Sequence, residues 1–148
     1  MVNYSLKKYI DDDFEFVYEL KRDAYKKYVI ANWGEWNERI QRDMYAKFIE
    51  HVKDDTFIIT SNNNNIGFLN CQTLKNGDFE IGNICIVAEY QNKGIGSQIL
   101  KDLLEQNKDK DIHIQYFKQN PVGSLYKRLG FVEKEKNDTH IKMIKPKQ

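Results

Sequence analysis

The chain has 148 residues, of which 41% are hydrophobic and 30% charged. That profile suits a folded domain and not a disordered tract. Lys and Arg number 23 against 22 Asp and Glu, a net charge of +1, so nothing in the overall charge favours nucleic acid or an anionic membrane as partner. No apolar run approaches the about 18 residues that a membrane-spanning helix needs. Met1-Val2-Asn3-Tyr4-Ser5 lacks the basic-then-apolar pattern of a signal peptide. Cys71 and Cys85 lie in apolar, strand-like stretches with no Cys or His at metal-ligand spacing, which argues against a disulfide framework or a zinc site. The expectation is one cytoplasmic domain over residues 1–148, with two buried thiols and no metal.

Tyr4 to Ile10 alternates as a first strand. Asp11-Asp12-Asp13 supplies negative charge suited to a helix N-terminus. From Phe14 to Ile30, Val17, Leu20, Ala24, Tyr25 and Tyr28 recur at steps of three and four, an amphipathic helix. Asn32-Trp33-Gly34-Glu35 breaks it. A second helical pattern runs from Trp36 to Val52, with Ile40, Met44, Phe48 and Ile49 on its apolar side. Thr56-Phe57-Ile58-Ile59-Thr60 and Ile66-Gly67-Phe68-Leu69-Asn70-Cys71 are strands joined by an Asn-rich hairpin turn. Asn76-Gly77-Asp78 is a further turn, and Phe79 to Val87 a long apolar strand.

Gln91-Asn92-Lys93-Gly94-Ile95-Gly96-Ser97 follows, opening a helix to about Asn107 whose apolar face carries Ile95, Ile99, Leu100, Leu103 and Leu104. Asp111 to Phe117 alternates as a strand. Asn120-Pro121 opens a helix ending near Leu129-Gly130, and Phe131–Glu135 with Thr139–Ile144 forms a final hairpin. The order βααβββαβαββ reads as a mixed α/β domain.

The strand, glycine turn and helix start around Gly94 and Gly96 have the form of an anion site. The first amides of a helix lack intrahelical partners and sit at the positive end of its dipole. Glycine lets a diphosphate approach the backbone closely, and Lys93 adds a mobile positive charge. The G-x-G spacing matches neither the dinucleotide fingerprint nor the Walker A loop.

Ile84-Cys85-Ile86-Val87-Ala88-Glu89-Tyr90-Gln91-Asn92-Lys93-Gly94-Ile95-Gly96-Ser97 resembles the acyl-CoA signature of the GNAT superfamily of N-acetyltransferases. Asn120-Pro121-Val122-Gly123-Ser124-Leu125-Tyr126-Lys127-Arg128-Leu129-Gly130-Phe131 is similar to that superfamily's second block, N-P-x-x-x-L-Y-x-x-x-G-F. Both stand in the superfamily's order and spacing, and the element order agrees over essentially the whole chain. Ala88 departs from the usual Pro, which loosens the connection slightly.

The resemblance implies a mixed, mostly antiparallel central sheet with helices on both faces. It implies acetyl-CoA as co-substrate, a small-molecule or peptide amine as acceptor, and no metal. Backbone amides of Gln91, Asn92, Lys93, Gly94, Ile95, Gly96 and Ser97 would hold the diphosphate. Ile84 and Ile86 would pair with the pantetheine arm, the Ile86 N–H lying near the thioester carbonyl. Asn120 would touch the CoA arm, although it is equally explained as a helix cap with Pro121 in the first turn. Tyr126 would protonate the leaving thiolate; its alternative is packing.

Glu80 is the candidate base, eleven positions before Gln91. Alternation groups it with Gly82 and Ile84, against Phe79, Ile81 and Asn83, and leaves open which side faces a cleft. His113 is a rival, expected to be exposed. His51 and His140 have no supporting pattern. Trp33, Glu35 and Trp36, with Glu38 nearby, would cradle a cationic amine, or else form a helix break with Trp anchoring the core. Many members of the superfamily dimerise, so a homodimer is a further expectation. A non-catalytic acyl-CoA-binding domain and a nucleotide-binding module are the alternatives.

Overall fold

The computed structural model describes residues 3–148. Its elements follow the expected order: β1 (Ser5–Lys8), α1 (Phe14–Trp33), α2 (Glu38–Val52), β2 (Thr56–Ser61), β3 (Asn64–Thr73), β4 (Phe79–Ile86), α3 (Ile95–Gln106), β5 (Ile112–Phe117), α4 (Gly123–Arg128), β6 (Val132–Lys136) and β7 (His140–Lys145). The strands form one seven-stranded sheet in the order β1-β2-β3-β4-β5-β7-β6. The β4–β5 pairing is parallel, while β1–β2, β2–β3, β5–β7 and β6–β7 are antiparallel. Among the described residues, no helix is long and apolar enough to cross a membrane.

The chain divides into two compact units. One runs through Asn70 and takes in Asn83–Gly96; the other comprises Cys71–Gly82 and Ser97–Gln148.

In the first unit, α1 and α2 cover β2, β3 and the end of β4. Val17 and Tyr18 of α1 and Tyr45 and Ile49 of α2 pack with Ile58, Phe68 and Cys85 in a buried cluster. The turn between β2 and β3 tightens to Asn62 and Asn63, at φ 51° and 65°. Two consecutive positive φ values match the twist of a hairpin, and Asn tolerates them. Gly67 on β3 is required by closeness: a Cβ there would stand 2.3 Å from the Cys85 carbonyl oxygen.

Helix α1 runs three residues beyond its expected end and stops where Gly34 adopts φ 88°, a left-handed C-cap. Helix α2 starts two residues later than expected, at Glu38, because Asn37 caps it by accepting from the Ile40 N–H at 3.0 Å. Of the expected apolar side of α2, only Ile49 is buried. Tyr45 and Ile49 are the buried pair, whereas Ile40, Met44 and Phe48 are exposed. The helix has apolar residues on two faces, and periodicity does not say which one meets the sheet.

In the second unit, β5 pairs with β7 over six residue pairs, Ile114 lying opposite Met143, both buried. Phe79 and Glu80 of β4 pair with Ile112 and His113. Ile99, Leu100, Leu103 and Leu104 of α3 are buried, as its 3.6-residue periodicity requires. Cys85 is buried, but Cys71 is only half-buried; both are free thiols.

Candidate active site

The first unit carries the glycine turn. β4 ends at Ile86, and the Val87 N–H donates to the Ile66 carbonyl at 2.8 Å. Backbone polar groups alternate sides along a strand. Because Val87 points at β3, the N–H and C=O of Ile86 and Ile84 point away from it. The Ile86 carbonyl is already taken: the Gln91 side-chain amide donates to it at 2.8 Å. Gln91 therefore ties the turn to the strand end through the Ile86 carbonyl.

A short 3-10 turn at Ala88–Tyr90 follows. The Gln91 N–H donates to the Ala88 carbonyl at 3.2 Å, so this amide, expected among those that hold the diphosphate, serves the turn instead. Asn92 and Gly94 adopt φ 62° and 82°. These left-handed residues swing the chain into α3, which opens at Ile95. A Cβ built on Gly94 or Gly96 meets nothing within 4 Å. The space before the helix is open, and the first-turn amides of α3 are the kind that lack intrahelical partners. Lys93 lies over the Tyr90 ring at 5.5 Å and supplies the positive charge. Burial of Cys85 pushes its thiol up to about 12, so it stays a neutral core side chain.

Trp33 sits exposed at the end of α1, and Glu35 is exposed beside it. Trp36 turns inward against the buried cluster, and its indole N–H donates to Glu38 at 2.6 Å. Arg22 also binds Glu38, at 3.2 Å. The indole hydrogen bond, with the Arg22 contact, holds the Glu38 carboxyl below its usual range. Trp36 thus fixes the chain between the two helices.

The second unit carries the other candidates. Glu80 is half-buried, and its carboxylate accepts from Gln72 at 3.1 Å. It lies in register with His113 on the neighbouring strand. His113, expected to be exposed, is shielded instead: its Nε2 lies 2.7 Å from an Asp78 oxygen, and the two side chains are 20% and 24% exposed. The histidine hydrogen bond is the largest cause holding the Asp78 carboxyl below its usual value. Sequence alternation missed this pair because it depends on which strand lies beside β4.

Tyr126 on α4 is half-buried. Its ring meets Tyr116 edge-on at 5.7 Å and Phe131 at 5.8 Å. Helix α4 opens at Gly123, three residues after Asn120. The Asn120 side chain accepts from the Val122 N–H at 3.1 Å, making an Asx turn ahead of the helix and not its N-cap. Gly123 is filled tightly by a neighbour, since a Cβ there would lie 2.3 Å from the Tyr116 hydroxyl. Tyr116 and Gly123 were not singled out in the sequence. The glycine alone hints at the close approach, and nothing names its partner. Gly130 closes the helix at φ 103°.

Comparison with known proteins follows the same lines. Residues 53–133 match the model of the acetyltransferase (GNAT) domain. The [ribosomal protein bS18]-alanine N-acetyltransferase of Haemophilus influenzae is 31% identical over 82% of this chain and 76% of its own length. An uncharacterized N-acetyltransferase of Methanocaldococcus jannaschii is 25% identical over 96% of this chain and 66% of its own length. Among solved structures, the PaiA N-acetyltransferase from Thermoplasma acidophilum in complex with coenzyme A superposes with a TM-score of 0.71 at 22% identity. It covers 97% of this chain and 99% of that one. An N-acetyltransferase from Staphylococcus aureus gives 0.73 at 14% identity, over 95% and 99%.

Proposed function

The chain belongs to the acetyltransferase (GNAT) family, and from that premise we propose that it moves an acetyl group from acetyl-CoA to a primary amine of a peptide or small molecule. One observation carries the donor half. Gly94 and Gly96 face open space at the start of α3, and Gln91 pins that turn to the end of β4. Amides from Asn92 to Ser97 hold the diphosphate there. Ile84 gives its outward backbone groups to the pantetheine arm, the Ile86 N–H, whose own carbonyl Gln91 occupies, lies at the thioester end, and Asn120 contacts the same arm.

The reaction is a direct aminolysis. An alkyl ammonium has a pKa of about 10.4, so the acceptor must first lose a proton. Glu80 takes it through water, onto its own carboxylate, which Gln72 holds in place. The Nε2 of His113 is engaged by Asp78, so that nitrogen is not free to receive the acceptor's proton. The amine nitrogen then bonds to the acetyl carbon, the Ile86 N–H stabilises the oxyanion, the carbon–sulfur bond breaks, Tyr126 protonates the departing thiolate, and the proton shed by the newly bonded nitrogen restores the Tyr126 phenol. The packing of Tyr126 between Tyr116 and Phe131 supports this role by fixing its phenol.

The acceptor side rests on exposed Trp33 and Glu35 at the end of α1, with the partly buried Trp36 anchoring the connection against the core cluster. The curated relative that acts on a ribosomal-protein alanine supports a peptide amino terminus as the first acceptor to try. The test is thiol release from acetyl-CoA against amino-terminal peptides, polyamines and aminoglycosides, with calorimetry of CoA against ATP. CoA binding with turnover on an amine supports the reading. CoA binding with no transfer to any acceptor would make the chain an acyl-CoA-binding domain, and preference for ATP a nucleotide-binding module. Trp33→Ala and Glu35→Gln are expected to raise the acceptor KM more than the acetyl-CoA KM, and an unchanged acceptor KM in both counts against the acceptor assignment.

A further inference from the structure

One positive charge in the first unit stands among aromatic rings with no carboxylate to pair with. Lys21 of α1 is partly buried. Its ammonium lies 4.8 Å from the centre of the Tyr45 ring and 5.7 Å from that of Tyr25. Its neighbours at helical spacing are Val17, Tyr18, Ala24 and Tyr25, so α1 itself offers no acidic partner. Among the described residues Lys21 makes no ion pair and no hydrogen bond. Ring faces attract a cation but accept none of its three N–H bonds in the way an oxygen does. Burial accordingly holds the ammonium below its ordinary value, opposed only by the Cys85 side chain.

A second donor in the same cluster is also unmet. Tyr45 is 4% exposed, and its buried hydroxyl has no hydrogen-bond partner among the described residues. Tyr45 and Lys21 both act electrostatically on Cys85, and the Tyr25 hydroxyl hydrogen-bonds the Cys85 sulfur. Lys21, Tyr25 and Tyr45 therefore converge on one residue of β4. That residue precedes Ile86, whose N–H serves the oxyanion in the acetyltransfer reading. An unmet cation with an unmet hydroxyl beside it suits a carboxylate, which accepts from both.

We propose that Lys21 receives a carboxylate of the acetyl acceptor, so that the chain selects amines with a negative charge close to the amine. The proposal rests on the acetyltransfer reading and names its acceptor class. Lys21 and Trp33 both lie on α1, about 18 Å apart along its axis. A small acceptor does not reach both, whereas an extended peptide of about six residues does. A peptide whose first residue is acidic fits best, and a free amino acid is the other source of the same carboxylate.

The test is calorimetry on the full chain saturated with CoA. The probes are a hexapeptide amide beginning with aspartate, the same peptide beginning with asparagine, and alanine against alaninamide. In at least one pair the carboxylate member is expected to bind about tenfold more tightly than its amide, and the pair that does so identifies the source. Lys21→Met and Lys21→Gln are each expected to bring that preference below about twofold. CoA affinity should stay at the wild-type value, and the thermal midpoint should hold or rise, because an unmet charge is removed. A lysine that merely packs on the rings would move the midpoint and leave the preference alone. Thiol release from acetyl-CoA is followed separately on the same probes. A charge preference without any thiol release would overturn the acetyltransfer reading and leave the carboxylate site standing. Equal binding within both pairs, or a preference that survives both variants, would overturn the proposal.

Discussion

Two segments of the molecule look alike in sequence and are built differently. Both lead from a strand through a polar turn with glycine into a helix: Gln91–Gly96 into α3, and Asn120–Gly123 into α4. In the first, Gly94 and Gly96 border open space. In the second, the Asn120 side chain serves the turn's own backbone and the Tyr116 hydroxyl fills the place of a Gly123 side chain. One turn has open space at its glycines, while the other is filled by its own residues. Glycine marks both, because a missing Cβ admits either a ligand or a neighbouring ring. What occupies the space separates a binding turn from a packing turn.

Substitutions sharpen that contrast. Gly123→Ala forces a methyl into the Tyr116 ring, whose nearest atoms lie 2.3 and 2.8 Å from the new Cβ. Overpacking of this kind costs about 1–3 kcal/mol, and chemical denaturation should show a loss near the upper end. Tyr126→Phe keeps the ring contacts and removes only the hydroxyl. Its expected effect is a fall in kcat of about 100-fold with the acetyl-CoA KM nearly unchanged, the scale of lost acid catalysis. Unchanged turnover would return Tyr126 to a packing role.

Gly96→Ala should behave in the opposite way to Gly123→Ala. Its Cβ meets nothing within 4 Å, and alanine favours a helix over glycine by up to about 1 kcal/mol. The variant is expected to be as stable as wild type or slightly more so, yet to bind CoA about tenfold more weakly, since the methyl occupies the anion's approach. A variant destabilised like Gly123→Ala would erase the distinction between the two turns.

The smallest effect lies at the start of β4 and β5. The Asp78 carboxyl is held below its ordinary value of 3.8, first by the His113 hydrogen bond. A depressed carboxyl contributes stability above its unfolded pKa and loses it as pH falls through the folded value. Asp78→Asn should therefore lower the thermal midpoint slightly at pH 5, with the difference from wild type closing towards pH 3. A gap that widens in acid would contradict the pairing.

Much of this was legible along the chain. The Asn run gave its hairpin because two consecutive positive φ values suit Asn. Gly94 and Gly96 announced a strand-to-helix turn, and the element order was right throughout. What stayed hidden depends on partners distant in sequence. Gly67 is required by the Cys85 carbonyl, Gly123 by Tyr116, and His113 is shielded by Asp78. The face of α2 was misread for a related reason. Ile40, Met44 and Phe48 repeat every four residues as well as any core stripe, but Tyr45 and Ile49 pack in the cluster with Phe68 and Cys85. Periodicity finds apolar faces and does not rank them.

The central claim is that amides at the head of α3 hold the diphosphate of coenzyme A. Amide nitrogen–proton NMR of Gly94, Ile95, Gly96 and Ser97, titrated with CoA and separately with pantetheine, reads it directly. The account predicts large shifts at these four amides with CoA and little movement with pantetheine, which lacks the diphosphate. Amides that stay still at saturating CoA would contradict it.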